Sequence, residues 1–154
     1  MPFVQEMTRT LHKILRGEIA AVEAYERSIR GMSATDPSVG HLERITRDHV
    51  AAVETLRTHL VEEGEEPDEG PGMWGAYTRL LEKAGTWLGD DTDLKALKEG
   101  EVHGLSEYRT SLGHQDLPPE LRNAIETCLI PAQEEHIALL DELLKGRERA
   151  RHGA

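Results

Sequence analysis

The sequence predicts an all-α protein, a bundle of four long helices. Apolar residues recur at three- and four-residue steps through four segments of the chain, which is the spacing of one face of an α-helix. Aromatic residues make up only 4% of the 154 residues and charged residues 31%, a composition typical of packed amphipathic helices. Proline, glycine and aspartate separate the four segments, as expected where helices begin and end. A chain of this length suits one domain with one core.

The first two helices are predicted to form a hairpin. The first helix covers residues 3–31 and closes at Gly31. The turn after it places Asp36 and Pro37 at the N-cap and the first position of a second helix, because aspartate caps helices and proline fits their first turn. The second helix is expected to end at about Glu63.

A long connection separates this hairpin from the third helix. Residues 64–72 are rich in glycine and proline, and residues 71–88 have helical spacing, so we predict a short crossover helix there. At 1.5 Å per residue this helix covers about 25 Å, which returns the chain to the end of the bundle where it started. The four long helices are therefore expected to run up, down, down and up.

The second half of the chain repeats the hairpin. A third helix is predicted from Asp90 to Gly113, and a fourth begins at Pro118. Pro131 lies inside the fourth helix, where it lacks a backbone donor and clashes with the preceding turn. We therefore predict a kink at Pro131 and no break in the helix.

Charge and cysteine content limit the partners and the compartment. Asp and Glu number 29 against 18 Lys and Arg, a net charge of −11 that is repelled by phosphate backbones and anionic lipid, so we expect no nucleic acid and no membrane partner. One cysteine, Cys128, cannot form an internal disulfide, and the opening residues contain no apolar run, so we expect a soluble cytoplasmic protein. We assign residues 1–147 to one domain and expect a basic flexible tail over 148–154.

Each long helix carries one titratable side chain on its apolar stripe. The first and third helices contribute Glu18 and Glu101, and the second and fourth contribute His49 and His136. An ionised carboxylate buried without a partner costs several kcal/mol, so chance placement explains the pattern poorly. The sequence therefore predicts that the four side chains meet in the core.

The two hairpins share a spacing that indicates an internal duplication. Glu18 and Tyr25 are seven residues apart, as are Glu101 and Tyr108, and two helical turns place each pair on one face. Glu18 and the histidine of its hairpin lie at similar depth from their shared loop. In the second hairpin Glu101 and His136 differ in depth by roughly 9 Å, unless the fourth helix overhangs the loop.

Two carboxylates and two imidazoles form a ligand set with two nitrogen and two oxygen donors. Such a set is acceptable to iron, manganese or zinc and leaves positions for water or oxygen. We predict one transition-metal ion with the ligands Glu18, His49, Glu101 and His136. Four further side chains are expected beside these ligands: Tyr25, Tyr108, Thr46 and Gln133. The alternative is a metal-free polar core in which the same groups hydrogen-bond to one another.

These residues resemble the ferritin-like superfamily, whose di-metal site takes one Glu from each of two helices and a Glu-x-x-His pair from each of the others. The spacing of Glu18 and Tyr25 is similar to the first helix of bacterioferritin and rubrerythrin. Three residues before each core histidine, however, stand Thr46 and Gln133, where a di-iron protein has bridging glutamates. The resemblance therefore implies a bundle without an iron-storage centre.

Three segments resemble, in the same order, a narrower bacterial ferritin-like family of unassigned function. They are GEEP (64–67), TWLGDDTDLKAL (86–97) and GEVHGLSEY (100–108). The resemblance spans about residues 5–145 and implies a four-helix bundle, but no established activity.

Three functions stay open at this point. The first is a binding protein with one metal ion in the core. The second is a divergent di-iron oxidase or peroxidase, in which an extra carboxylate such as Glu54 or Glu135 completes the site. The third is a metal-free structural or interaction bundle whose buried polar residues specify register. No substrate is indicated, and we expect a monomer or a homodimer.

Overall fold

The computed structural model describes residues 2–66 and 91–153 of the chain. Nearly all of these residues are helical, and no strand occurs in the two described ranges. The predicted all-α class is confirmed. The crossover helix predicted over 71–88 lies outside the described residues. Across the described ranges, no helix combines the length and the apolar character that a bilayer crossing needs.

Four helical rods make up the described structure. Their segments are α1 (Pro2–Arg30), α2 (Ser38–Glu62), α3 (Asp91–Ser111), α4 (Pro119–Ala124), a π-helical turn (Ile125–Leu129) and α5 (Ile130–His152). We call α4, the π-helical turn and α5 together the C-terminal helix. The first three rods end within a few residues of their predicted limits.

Contacts between rods define their relative directions. A short turn makes α1 and α2 antiparallel neighbours. The Thr10 Oγ1, near the start of α1, lies 3.2 Å from the Nε2 of His114, just after α3. The start of α1 is therefore next to the end of α3, so these two helices also run antiparallel. Asp36, just before α2, accepts a hydrogen bond of 2.9 Å from Arg147 near the end of α5, so α2 and α5 run antiparallel too.

Two apolar clusters fill the two ends of the core. One cluster includes Leu11, Leu15, Leu56, Leu121 and Ile125. The other includes Leu42, Ile45, Leu94, Leu97 and Leu140. Burial of each such side chain contributes about 2 kcal/mol to folding. The titratable residues of the stripes lie between the two clusters, so apolar burial on both sides offsets the desolvation of a polar layer.

The π-helical turn carries the C-terminal helix past its internal proline. The Ile130 N–H donates to the carbonyl of Ile125, five residues earlier, which is the bond of a π-helix. Pro131 has no N–H to give to the carbonyl of Thr127, and the extra residue in the turn absorbs this loss without ending the helix. The predicted continuity through Pro131 is confirmed.

The C-terminal helix overhangs the loop that precedes it. Arg122, in α4, donates hydrogen bonds of 2.9 and 2.7 Å to the carbonyls of Leu112 and His114. The first turn of α4 therefore extends beyond the end of α3. This overhang accounts for the unequal distances of Glu101 and His136 from their loop.

The basic end of the chain continues the helix. We predicted a flexible tail over 148–154, whereas α5 extends through His152. Arg151 binds the carboxylate of Asp91 at the start of α3. Helix α5 thereby connects to the N-terminal turn of α3 through an ion pair.

Candidate metal centre

The four titratable residues of the apolar stripes meet between the two apolar clusters. Together with Tyr25 and Tyr108 they form what we call the polar layer. Glu18, His49, Glu101 and His136 are each at most 5% exposed. The four come from α1, α2, α3 and α5, and every one has a hydrogen-bond partner within the layer. The layer therefore joins all four rods at mid-height.

His49 bridges the two buried carboxylates. Its Nδ1 lies 2.5 Å from Glu18 and its Nε2 lies 2.6 Å from Glu101. Burial lowers the pKa of His49, but the charge of Glu18 and the hydrogen bonds to both carboxylates outweigh burial and raise the pKa to about 10 from 6.5. Without a metal, His49 is thus an imidazolium that donates from both nitrogens.

Glu101 accepts more side-chain hydrogen bonds than the other carboxylate of the layer, Glu18. Burial raises the pKa of its carboxyl group, but hydrogen bonds from His136 and His49 outweigh burial and lower the pKa to about 2 from 4.5. The Tyr25 hydroxyl donates a third hydrogen bond, of 2.6 Å. Glu101 therefore stays ionised within the core.

His136 connects the layer to the surface through Asp48. Its Nδ1 lies 3.3 Å from Glu101, and its Nε2 lies 2.8 Å from the Asp48 carboxylate, whose side chain is 40% exposed. Burial lowers the pKa of His136, but the hydrogen bond and charge of Glu101 and the hydrogen bond of Asp48 raise it overall. Sequence analysis missed Asp48, because it lies one residue before His49 and points off the apolar stripe.

The two core tyrosines exchange partners between the hairpins. Tyr25 of α1 donates to Glu101 of α3, and Tyr108 of α3 donates to Glu18 of α1, each at 2.6 Å. Burial and the nearby carboxylates hold the pKa of both phenols well above 10.0, so they remain protonated donors. The exchange is reciprocal between the two hairpins.

The other two neighbours predicted for the site have backbone partners. The Gln133 amide donates to the backbone carbonyl of Glu101 at 3.1 Å. The Thr46 hydroxyl donates to the Leu42 carbonyl of its own helix at 2.7 Å. Gln133 therefore supports α3 from the C-terminal helix, whereas Thr46 satisfies the α2 backbone.

The two extra carboxylates considered for a di-iron site lie on the surface. Glu54 is 61% exposed and pairs with Arg57 at 3.0 Å. Glu135 is 60% exposed and pairs with Arg44 at 2.6 Å. Both side chains are thus engaged in surface ion pairs and lie outside the buried donor group, which counts against either residue as a ligand of a second metal.

Three of the four predicted ligands form a compact donor group. Ligand atoms of His49, Glu101 and His136 all lie within 4.8 Å of one another. Each imidazole turns one nitrogen toward Glu101 and the other toward a second carboxylate, Glu18 or Asp48. Histidines that bind metals have this arrangement, because a carboxylate on the outer nitrogen fixes the ring and its tautomer.

The sequence profile of one family, described as Domain of unknown function (DUF2383), matches residues 6–114, more than half of the chain. The chain belongs to this family. The DUF2383 match includes Glu18, His49 and Glu101 and ends before the C-terminal helix with His136. No curated protein and no solved structure matches the chain. Because the DUF2383 description names no function, the function must be argued from the geometry.

The raised pKa of His49 predicts a loss of stability at alkaline pH. Its stabilising contribution is complete below pH 6.5 and is lost as pH rises toward about 10, whereas that of Glu101 is complete above pH 4.5 and is lost toward about 2. The free energy of unfolding of the metal-free protein should therefore be highest between about pH 4.5 and 6.5. Above that window the contribution of His49 alone should fall by up to about 1.4 kcal/mol per pH unit, as measured by urea denaturation, and deprotonation of His136 adds to the loss.

Two histidine variants test the origin of this alkaline loss. His49→Gln should make the alkaline limb of the stability profile shallower, since it removes one of the two buried imidazoles whose pKa is raised. His103→Gln should leave the limb intact, because the His103 side chain is 72% exposed. Equal slopes in the wild type and His49→Gln would contradict the charged bridge.

Gly104 tests the contact between Gln133 and α3, because the absence of a side chain at Gly104 leaves room for Gln133. A Cβ at Gly104 would lie 2.7 Å from the Gln133 Nε2, whereas a Cβ at Gly100 meets no atom within 4 Å in the part of the chain that the structure describes. Glycine-to-alanine changes inside helices otherwise stabilise by roughly 0.5–1 kcal/mol. We expect Gly104→Ala to be less stable than Gly100→Ala by about 1 kcal/mol in urea denaturation, since the hydrogen bond from Gln133 is lost. Equal stabilities would mean that Gln133 moves aside at no cost.

Proposed function

We propose that this DUF2383 protein is a ferritin-like, up-down-down-up four-helix bundle that binds one transition-metal ion in its polar layer. The antiparallel pairs α1/α2, α1/α3 and α2/α5, together with the long connection between α2 and α3, support the bundle topology. The observation that carries the metal proposal is the buried donor group of His49, Glu101 and His136, with ligand atoms within 4.8 Å of one another.

The ligands differ in one respect from those predicted from the sequence. His49, Glu101 and His136 are the direct ligands, while Glu18 holds the outer nitrogen of His49 and Asp48 holds that of His136. Two imidazoles and one carboxylate are the donors of mononuclear non-haem iron(II) sites, and manganese and zinc also accept them. When bound, the ion supplies Lewis acidity and open coordination positions.

Charge balance favours a single ion. Without metal, the raised pKa of each imidazole favours a proton on it, and two such protons balance the carboxylates of Glu18 and Glu101. A divalent ion displaces those two protons and leaves the same net charge, so metal binding competes with protonation and strengthens as pH rises. A second divalent ion would leave excess positive charge in the low-dielectric core, which argues against di-iron chemistry and iron storage.

A metal-free structural role is the second candidate. The hydrogen bonds among the buried carboxylates, imidazoles and phenols give each of these groups a partner. A fully paired polar layer can fix the register of helices on its own. This candidate differs from the first in a measurable quantity, the number of ions bound per chain.

Elemental analysis of protein made without an affinity tag distinguishes the candidates. We expect one iron, manganese or zinc ion per chain, and one equivalent of Fe²⁺, Mn²⁺ or Zn²⁺ taken up after chelator treatment. Two ions per chain would contradict the single-ion site. No ion and no uptake would leave the structural role.

Carboxylate variants test the assignment of ligands. Glu18→Gln disturbs only the partner of a ligand, and losses of about 10–100-fold in affinity are typical of such changes. Glu101→Gln removes the charged ligand itself and should weaken binding by more than about 100-fold. Glu54→Gln is the matched control, because Glu54 is exposed, and it should leave affinity unchanged. Equal losses for Glu18→Gln and Glu101→Gln would make Glu18 a direct ligand.

A further inference from the structure

A cavity of about 490 Å³ lies between α1 and α3, beside the polar layer. Small residues on both helices make its walls, among them Gly17, Ala20 and Ala24 on α1 and Gly100 on α3. The space is open at the two glycines, since a Cβ added to Gly17 or Gly100 meets no atom of the described residues within 4 Å. The volume falls within the roughly 300–1,000 Å³ typical of small-molecule sites.

The inner wall of the cavity consists of buried polar side chains of the layer. Glu18, Tyr25, His49, Glu101 and Tyr108 all line it. An ionised carboxylate has about four lone-pair sites. Glu18 accepts two hydrogen bonds within the layer and Glu101 accepts three side-chain bonds, so both retain acceptor capacity. The tyrosine hydroxyls, in contrast, already donate their hydrogen bonds to these carboxylates.

The charge around the cavity selects against anions. Glu99 and Glu107 line it in addition to Glu18 and Glu101, the two carboxylates whose charge the core imidazoles balance. Lys13 and His103 both pair with Glu107, at 3.1 and 3.4 Å. The whole chain carries a net charge of −11, which repels negatively charged ligands.

We propose that this cavity binds a small molecule with a flat apolar body and one hydrogen-bond donor, uncharged or cationic, of the phenol or aromatic-amine class. The glycine and alanine residues of the walls leave room for a flat apolar body. The unused lone pairs of Glu18 and Glu101 can accept a hydrogen bond from its donor group. Tyr25 and Tyr108 provide the precedent inside the protein, because their phenols donate to these same carboxylates at 2.6 Å. The site goes beyond the proposed metal function and does not depend on a bound ion.

Three matched probes test the chemistry by NMR titration of the chelator-treated full chain. Phenol should shift the backbone amide signals of Gly17, Gly100 and Gly104. Toluene lacks the donor and should bind about tenfold more weakly, because a hydrogen bond to a charged group is lost. Benzoate carries a negative charge and should cause no shift. Equal affinity for the three probes, or no shift with phenol, would overturn the proposal.

Variants that fill the cavity test whether phenol binds there. The double variant Gly17→Leu/Gly100→Leu places two side chains in the open space and should abolish phenol binding. Gly146→Leu is the matched control, because Gly146 is also a helical glycine where an added Cβ meets no described atom within 4 Å, and it does not line the cavity. Phenol binding that survives in the double variant would refute the site. Should the double variant not fold, the three probes on the wild type still decide.

Because the titration uses protein without metal, its failure leaves the metal proposal untouched. Conversely, absence of metal uptake does not affect the phenol titration. The two proposals can therefore fail separately.

Discussion

The bridge from Glu18 through His49 to Glu101 is the interaction on which the rest of the structure depends. Two carboxylates from different hairpins share one imidazolium at mid-height of the molecule. Burial makes every unpaired charge there expensive, so the remaining groups of the layer are arranged to complete the pairing. The leucine-rich clusters above and below the layer offset its desolvation.

The same layer is consistent with two chemical states of equal net charge. In one state, protons on the imidazoles balance the carboxylates. In the other, a divalent ion takes the place of those protons and the imidazoles become neutral ligands. Conversion between the two states requires little movement of the surrounding helices, because the donor atoms of His49, Glu101 and His136 are already close together. Under the proposed metal binding, solution pH and metal availability decide which state is occupied.

Sequence periodicity was sufficient to predict the helices and the four buried titratable residues, because a polar residue on an apolar stripe is visible in the spacing alone. Contacts that depend on how two rods meet were not accessible in this way. Asp48 lies off its stripe, and only the packing of α2 against α5 brings it to His136. The overhang set by Arg122 depends on carbonyls exposed by a neighbouring loop. Glu54 and Glu135 carry the right chemistry but lie on the wrong faces of their helices.

The reciprocal exchange of tyrosine hydrogen bonds has an evolutionary consequence. An isolated α1–α2 hairpin contains an acceptor in Glu18 and a donor in Tyr25, yet each finds its partner on the other half of the chain. Two copies of such a hairpin, related by a twofold axis, would complete each other's hydrogen bonds. The fold is thus consistent with a duplicated hairpin whose two copies are now joined in one chain. The copies are not identical, because His49 contacts two buried carboxylates, whereas His136 contacts Glu101 and the partly exposed Asp48.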